Sequence, residues 1–230
     1  MKSRNWPYVY GTILLIHLLS IAFHQDLLRT ITKPLMMICL GIWFYSSSQG
    51  SWNGCRLIMA ALGFSLLGDV FLMMDSINAN WFIAGIAAFL LAHFMYIVFF
   101  VRLRRMRSPK PKIRPLWIAI AVIYSAMLVM LVYPHTGSLG IPVVIYAATI
   151  TAMLVSVILA CGVHEKAGFY CLGAAILFVA SDSMLAINKF YQSFSLASLL
   201  IMFTYGCAQF GFVKGCLQYL AEIKYSPAKS

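Results

Sequence analysis

GDVFLMMD, residues Gly68–Asp75, closes an apolar run that starts near Leu57, and it sets a carboxylate, Asp69, behind 12 uncharged residues and ahead of five more. If the run crosses a bilayer, Asp69 lies in or near hydrocarbon, where a charge costs about 2.5–3.5 kcal/mol or more. A second copy of the arrangement, SDSMLAI, occupies Ser181–Ile187, and both read small–Asp–x–(Phe/Met)–Leu. Most of the remaining chain makes sense as a scaffold that brings these two aspartates together in a membrane.

Composition sets the class. Of the 230 residues, 62% are hydrophobic and 10% charged, against about 45–50% and about 25% in soluble domains. The net charge of +11 would point to nucleic acid in a soluble protein. In a membrane protein the basic residues report orientation and contact with anionic headgroups instead, so no nucleic-acid partner is expected. The six cysteines form no CxxC pair and read as small packing residues. The N-terminal apolar stretch is expected to be a first membrane helix left uncleaved rather than a signal peptide.

A spanning helix needs about 20 mostly apolar residues. Eight candidates result, at about 6–23, 27–46, 56–74, 80–101, 115–133, 140–161, 168–187 and 195–219, with no connection long enough for a separate domain. The expected fold is all-α, one integral membrane domain over residues 1–230 with eight transmembrane helices. The connection 102–114 carries Arg102, Arg104, Arg105, Arg107, Lys110, Lys112 and Arg114, which favours the cytoplasmic side. With eight spans both termini are then cytoplasmic (N-in/C-in). Every lysine and arginine except Arg29, Lys33 and Lys189 falls inside on that assignment: Lys2, Arg4, Arg56, Lys166, Lys214, Lys224 and Lys229 join the loop residues.

From Pro34 to Tyr45 the second span has only 12 apolar residues, about 18 Å of helix and too short to cross. Extending it to Leu27 places Lys33 below the outer surface, at the depth of Asp69 and Asp182 on helices 3 and 7. Mutual neutralisation is the cheapest way to keep three such groups there. His93 and Tyr96, three apart on helix 4, share a face, as do Tyr205 and Gln209, four apart on helix 8. These are expected nearer the midplane, outlining a pocket entered from the outer half. Helices 1, 5 and 6 read as walls.

Two aspartates paired in a membrane can act as an acid/base pair, form an ion or proton path, or hold helices together by hydrogen bonding. In the first role, Ser181 is placed to donate to Asp182. Lys33 suits a phosphate or carboxylate partner, with Pro34 bending the helix beside it. Asn188 and Lys189 finish helix 7 at the outer face, while Asp75, Asn78 and Asn80 read as turn chemistry. His17, His24, His135 and His164 are scattered, and no HxxxH, HxxE or Cys/His cluster offers a metal site. No metal or cofactor is expected. The transporter alternative draws on the echo between helices 3 and 7, which hints at parallel four-helix repeats. Against it, neither aspartate helix carries Pro or a Gly pair near its Asp.

Thr32-Lys33-Pro34-Leu35, Leu67-Gly68-Asp69-Val70-Phe71-Leu72-Met73, Ala92-His93-xx-Tyr96, Leu177-Phe178-xx-Ser181-Asp182-xx-Leu185-Ala186 and Tyr205-xxx-Gln209 together resemble, in order and spacing, the YhhN-like lysoplasmalogenase family. The resemblance implies an integral membrane hydrolase that cleaves the vinyl ether bond of lysoplasmalogens to a fatty aldehyde and glycerophosphoethanolamine or glycerophosphocholine. Its partners would be the lysophospholipid substrate and membrane lipid, in a bacterial inner membrane or the endoplasmic reticulum. The family's polar positions fall on Lys33, Asp69, His93, Tyr96, Ser181, Asp182, Tyr205 and Gln209. Vinyl ether hydrolysis needs an acid to protonate carbon and a carboxylate to stabilise the resulting cation and activate water. Asp69 and Asp182 take those roles as a pair, with His93 beside them. Lys33, Tyr96, Ser181, Asn188, Tyr205 and Gln209 are the expected substrate-binding set.

Overall fold

A computed structural model describes residues 5–48, 53–75, 77–78, 80–107, 115–162 and 165–225. Among these residues eight α-helices follow one another: α1 Trp6–Ala22, α2 Asp26–Ser48, α3 Asn53–Met73, α4 Asn80–Met106, α5 Pro115–Val132, α6 Gly140–Ala160, α7 Lys166–Ala186 and α8 Ala197–Tyr225. Seven are long and apolar enough to cross a membrane; α1, at 17 residues, sits at the lower limit of about 17. The protein is an all-helical integral membrane protein. No strand occurs among the described residues. Of the basic residues used to orient the chain, Lys2, Arg4, Lys110, Lys112, Arg114 and Lys229 lie outside the described residues, as do His164 and the side chain of Lys224.

Local chemistry sets the helix limits. Pro7 stands in the first turn of α1, where its missing N–H costs nothing. At the other end the Gln25 amide reaches back to the Ser20 carbonyl at 2.8 Å while His24 adopts φ +55°, a C-terminal turn normally built on glycine. Arg104 and Arg105 close α4, where cations complement exposed carbonyls. Pro34 does not end α2, which continues through it.

The helices pack in antiparallel hairpins, α3 with α4 and α7 with α8, around a core that includes Met36, Phe44, Tyr96, Phe99, Phe178 and Phe212. α7 meets α8 across small residues. A Cβ on Gly215 would lie 2.9 Å from the Ala167 carbonyl and 2.5 Å from Cys171 Sγ, and one on Gly211 3.0 Å from Ala174. Gly211 and Gly215 form the GxxxG spacing that lets membrane helices approach closely. α3 and α4 meet similarly, Gly68 lying under the Phe89 ring.

α5 stays peripheral, with Ala121 and Val132 its buried residues, and it fits the expected wall. α1 and α6 do not. Tyr10 donates to the Gly206 carbonyl at 2.8 Å, His17 is buried against α2, and α6 contributes Tyr146 to the polar interior. Each supplies a polar group that α2, α7 or α8 needs.

Candidate active site

Two polar clusters fill the layer where the sequence places its intramembrane charges. In the first, Lys33 Nζ on α2 lies 3.4 Å from Asp69 Oδ1 on α3, both side chains being largely buried. The Tyr205 hydroxyl on α8 donates to Asp69 Oδ2 at 2.8 Å. One turn further, Gln209 Nε2 donates to Ser65 Oγ at 3.0 Å and contacts the Tyr205 oxygen at 3.3 Å. Tyr96 on α4 donates to Gln209 Oε1 at 3.0 Å. The chain Tyr96–Gln209–Tyr205–Asp69–Lys33 thus ties four helices together.

The second cluster holds the other carboxylate. The Tyr146 hydroxyl donates to Asp182 Oδ2, and His93 Nε2 lies 3.2 Å from the same hydroxyl and 3.5 Å from the same carboxylate oxygen. His93 is fully buried, and its Nδ1 meets no hydrogen-bond partner among the described residues. Phe178 separates the clusters: its ring stands edge-on to His93 at 4.7 Å and to Tyr205 at 5.5 Å.

Several expectations need correction. Lys33 pairs with Asp69 alone; Asp182 is met by Tyr146 and His93 instead of sharing the lysine. Ser181 does not serve Asp182, because its hydroxyl donates 3.1 Å across to the Ile201 carbonyl on α8. A serine next to an aspartate on a helix points about 100° away from it, so the neighbouring helix claims its proton. Tyr205 is not below the aspartates but bonded to one. His93 and Tyr96 share a helix face yet enter different clusters, since Phe178 divides the space between them.

Above the clusters, at the end of the bundle carrying Arg29, Lys33 and Lys189, opens a cavity of about 870 Å³, a size typical of small-ligand sites. Leu72, Leu185 and Met202 line it, and each stands three residues, less than one helical turn, from Asp69, Asp182 or Tyr205. Lys33 is both a wall of the cavity and the partner of Asp69. The cavity therefore lies at the end of the bundle that carries Lys33, about one turn from both carboxylates.

At its mouth the cations alternate with anions. Lys189 Nζ meets Asp75 Oδ2 at 2.6 Å and lies over the Phe82 ring, while Arg29 faces Asp26 at 3.3 Å. Asn188 lines the cavity and accepts from the Phe194 amide at 3.3 Å. It stands in a π-helical turn, Ile187–Tyr191, that prolongs α7. Asp75, in the turn after α3, thus lines the cavity as well.

Sequence reasoning missed Tyr146, Ser65, His17 and Asp75. Ser65 stands four residues before Asp69 and so on its face, which is a readable signal. Tyr146 offered only one hydroxyl in an aliphatic helix. Among the described residues no group of three or more His, Cys, Asp or Glu is arranged to hold a metal ion.

The YhhN family model matches residues 28–216, a stretch that contains both clusters. The chain is 31% identical over 157 residues to a lysoplasmalogenase of Mycobacterium tuberculosis, an alignment covering 67% of this chain and 58% of that protein. It is 31% identical over 182 residues to a lysoplasmalogenase of Homo sapiens, covering 78% and 71%, and 28% identical over 196 residues to one of Bos taurus, covering 77% and 73%. The chain thus spans 58% of the length of the mycobacterial relative that it matches. No solved structure matches it.

Proposed function

The chain belongs to the YhhN family, and from that premise we propose that it is a membrane ether hydrolase that cleaves the vinyl ether bond of lysoplasmalogens. The names of its relatives support the reaction, and the placement of the two carboxylates supports the site. The observation that carries the reading is that Asp69 and Asp182 come from different helices, each held by a tyrosine of another helix, about one turn beneath a cavity with lysine and arginine in its wall.

The phosphate of the substrate sits at Arg29 and Lys33, and its vinyl ether reaches inward past Leu72, Leu185 and Met202. The two carboxylates differ in their partners: Asp69 has a lysine beside it, while Asp182 is held by tyrosine and histidine. We assign the acid to Asp182. It gives its proton to the carbon β to the ether oxygen, the π electrons form the new C–H bond, and an oxocarbenium ion remains. Water adds to the α carbon as Asp69 takes one of its protons. The hemiacetal then collapses: its hydroxyl proton goes to Asp182, and the glycerol oxygen leaves with the proton held by Asp69. Both carboxyl groups return to their starting state, and the products are a fatty aldehyde and a glycerophospho-alcohol. His93, through Tyr146, fixes the orientation of Asp182. Tyr96 and Gln209 hold Tyr205 on Asp69.

The cavity opens on the non-cytoplasmic face when the basic loop 102–114 lies inside, with both termini cytoplasmic. A single-chain lipid then arrives from the outer leaflet.

The test is aldehyde release from lysoplasmenylethanolamine by purified protein in detergent, with a chelator present. Asp69→Asn and Asp182→Asn should each cost at least about 100-fold in kcat, the scale of a lost acid or base. Activity surviving in both folded variants defeats the assignment. If the parent is inactive while proton flux appears in liposomes, the same aspartates serve transport.

A further inference from the structure

His17 lies outside the 28–216 stretch that the family model matches, yet its ring lines the same cavity as Lys33 and is 2% exposed. Its Nδ1 is 2.8 Å from Thr32 Oγ1. That hydroxyl already gives its single proton to the Leu28 carbonyl at 2.6 Å, so it has only lone pairs to offer. The ring must therefore carry its proton on Nδ1 and donate it to Thr32. Nε2 is left as a lone-pair acceptor on a ring that lines the cavity.

Asp26 faces Arg29, Asp75 faces Lys189, and Asn188 Oδ1 is taken by the Phe194 amide. A ligand group that donates a hydrogen bond beside Lys33 meets Nε2 of His17.

We infer that His17 is a specificity-determining residue that accepts a hydrogen bond from the free 2-hydroxyl of a single-chain glycerophospholipid bound at Lys33. This rests on the proposed lysolipid site. The 2-hydroxyl stands between the phosphate and the ether oxygen in such a lipid, as His17 stands on the wall that Lys33 shares. In a two-chain lipid the position carries an ester, which has no proton to give. Its oxygens would face Nε2 lone pair to lone pair, and the buried nitrogen would stay unsatisfied. A site built around a hydroxyl discriminates strongly for that reason.

The experiment measures binding of an uncleavable 1-O-alkyl-glycerophosphoethanolamine and of its 2-deoxy analogue, to the parent, His17→Phe and Thr32→Val proteins in detergent. The parent should lose about tenfold in affinity when the hydroxyl is removed, one buried hydrogen bond. His17→Phe should bind both lipids alike, within about twofold. Thr32→Val, which releases the ring to place its proton on either nitrogen, should discriminate less than the parent and serves if His17→Phe fails to fold. Equal discrimination in the parent and the folded variants overturns the inference, as does a parent that ignores the hydroxyl. Because the probe is not hydrolysed, hydroxyl-dependent binding without aldehyde release would uphold His17 and sink the catalytic proposal. Aldehyde release with hydroxyl-blind binding would do the reverse.

Discussion

At the scale of single residues, two side chains separate electrostatic from chemical roles. Lys33 is the cation beside a nearly fully buried carboxylate. Removing one partner of such a pair costs about 3 kcal/mol, while removing both costs far less. Lys33→Met should lower the thermal midpoint in detergent, and adding Asp69→Asn should recover most of the loss. A double variant no more stable than Lys33→Met would show that the pair is not coupled. Tyr146 donates to Asp182 and contacts His93, so Tyr146→Phe should lower kcat about tenfold with KM little changed, the worth of one buried hydrogen bond. A change confined to KM would place Tyr146 in substrate binding instead. The residue scale is also where the sequence was least complete. Asp69, Asp182 and Lys33 announce themselves because a charge in hydrocarbon is expensive, whereas a tyrosine in an aliphatic helix costs little and signals little.

At the scale of elements, close approach and turn geometry make the predictions. Gly215 has no room for a Cβ against the Ala167 carbonyl and Cys171, and backbone yields less readily than a side chain. Gly215→Ala should destabilise by about 1–3 kcal/mol, as overpacking does, seen as a lower midpoint. Gly63, with nothing near its missing Cβ, provides the control: Gly63→Ala should not destabilise. His24 ends α1 at φ +55°, a conformation costing a non-glycine residue about 1 kcal/mol. His24→Gly should therefore raise the midpoint slightly, and a drop would mean that the imidazole itself holds the turn. Helix limits were largely legible, since apolar runs of about 20 residues and flanking charges mark them. Packing partners were not: nothing in the apolar pattern tells α5, which stays peripheral, from α6, which enters the site.

At the scale of the molecule, a second polar assembly holds together the end of the bundle remote from the cavity. Arg107, past the end of α4, donates to the Ala160 carbonyl at 2.8 Å, to Glu165 and, at 3.3 Å, to the Tyr219 hydroxyl; Tyr219 in turn donates to Glu165 at 3.0 Å. Burial pushes the Glu165 carboxyl up, but donation from Arg107 and Tyr219 outweighs it and holds the group below the usual carboxylate range. A depressed folded value means that the stabilisation is present above the unfolded value of about 4.3 and fades as pH falls through the folded value. Glu165→Gln should lower the thermal midpoint at pH 7 and close the gap to the parent as pH drops below about 4; a constant gap would contradict this. By itself the sequence determined the class, the number and limits of the helices and the identity of the costly charges, because hydrophobicity and charge burial are one-dimensional quantities that a chain displays directly. Tertiary structure alone decided that Asp182 is held by Tyr146 and His93 rather than by Lys33, that Ser181 turns to α8, and that His17 faces the cavity. Those outcomes depend on which helix faces which and on the Phe178 ring between two clusters, and helical spacing fixes only which residues share a face, not what that face meets.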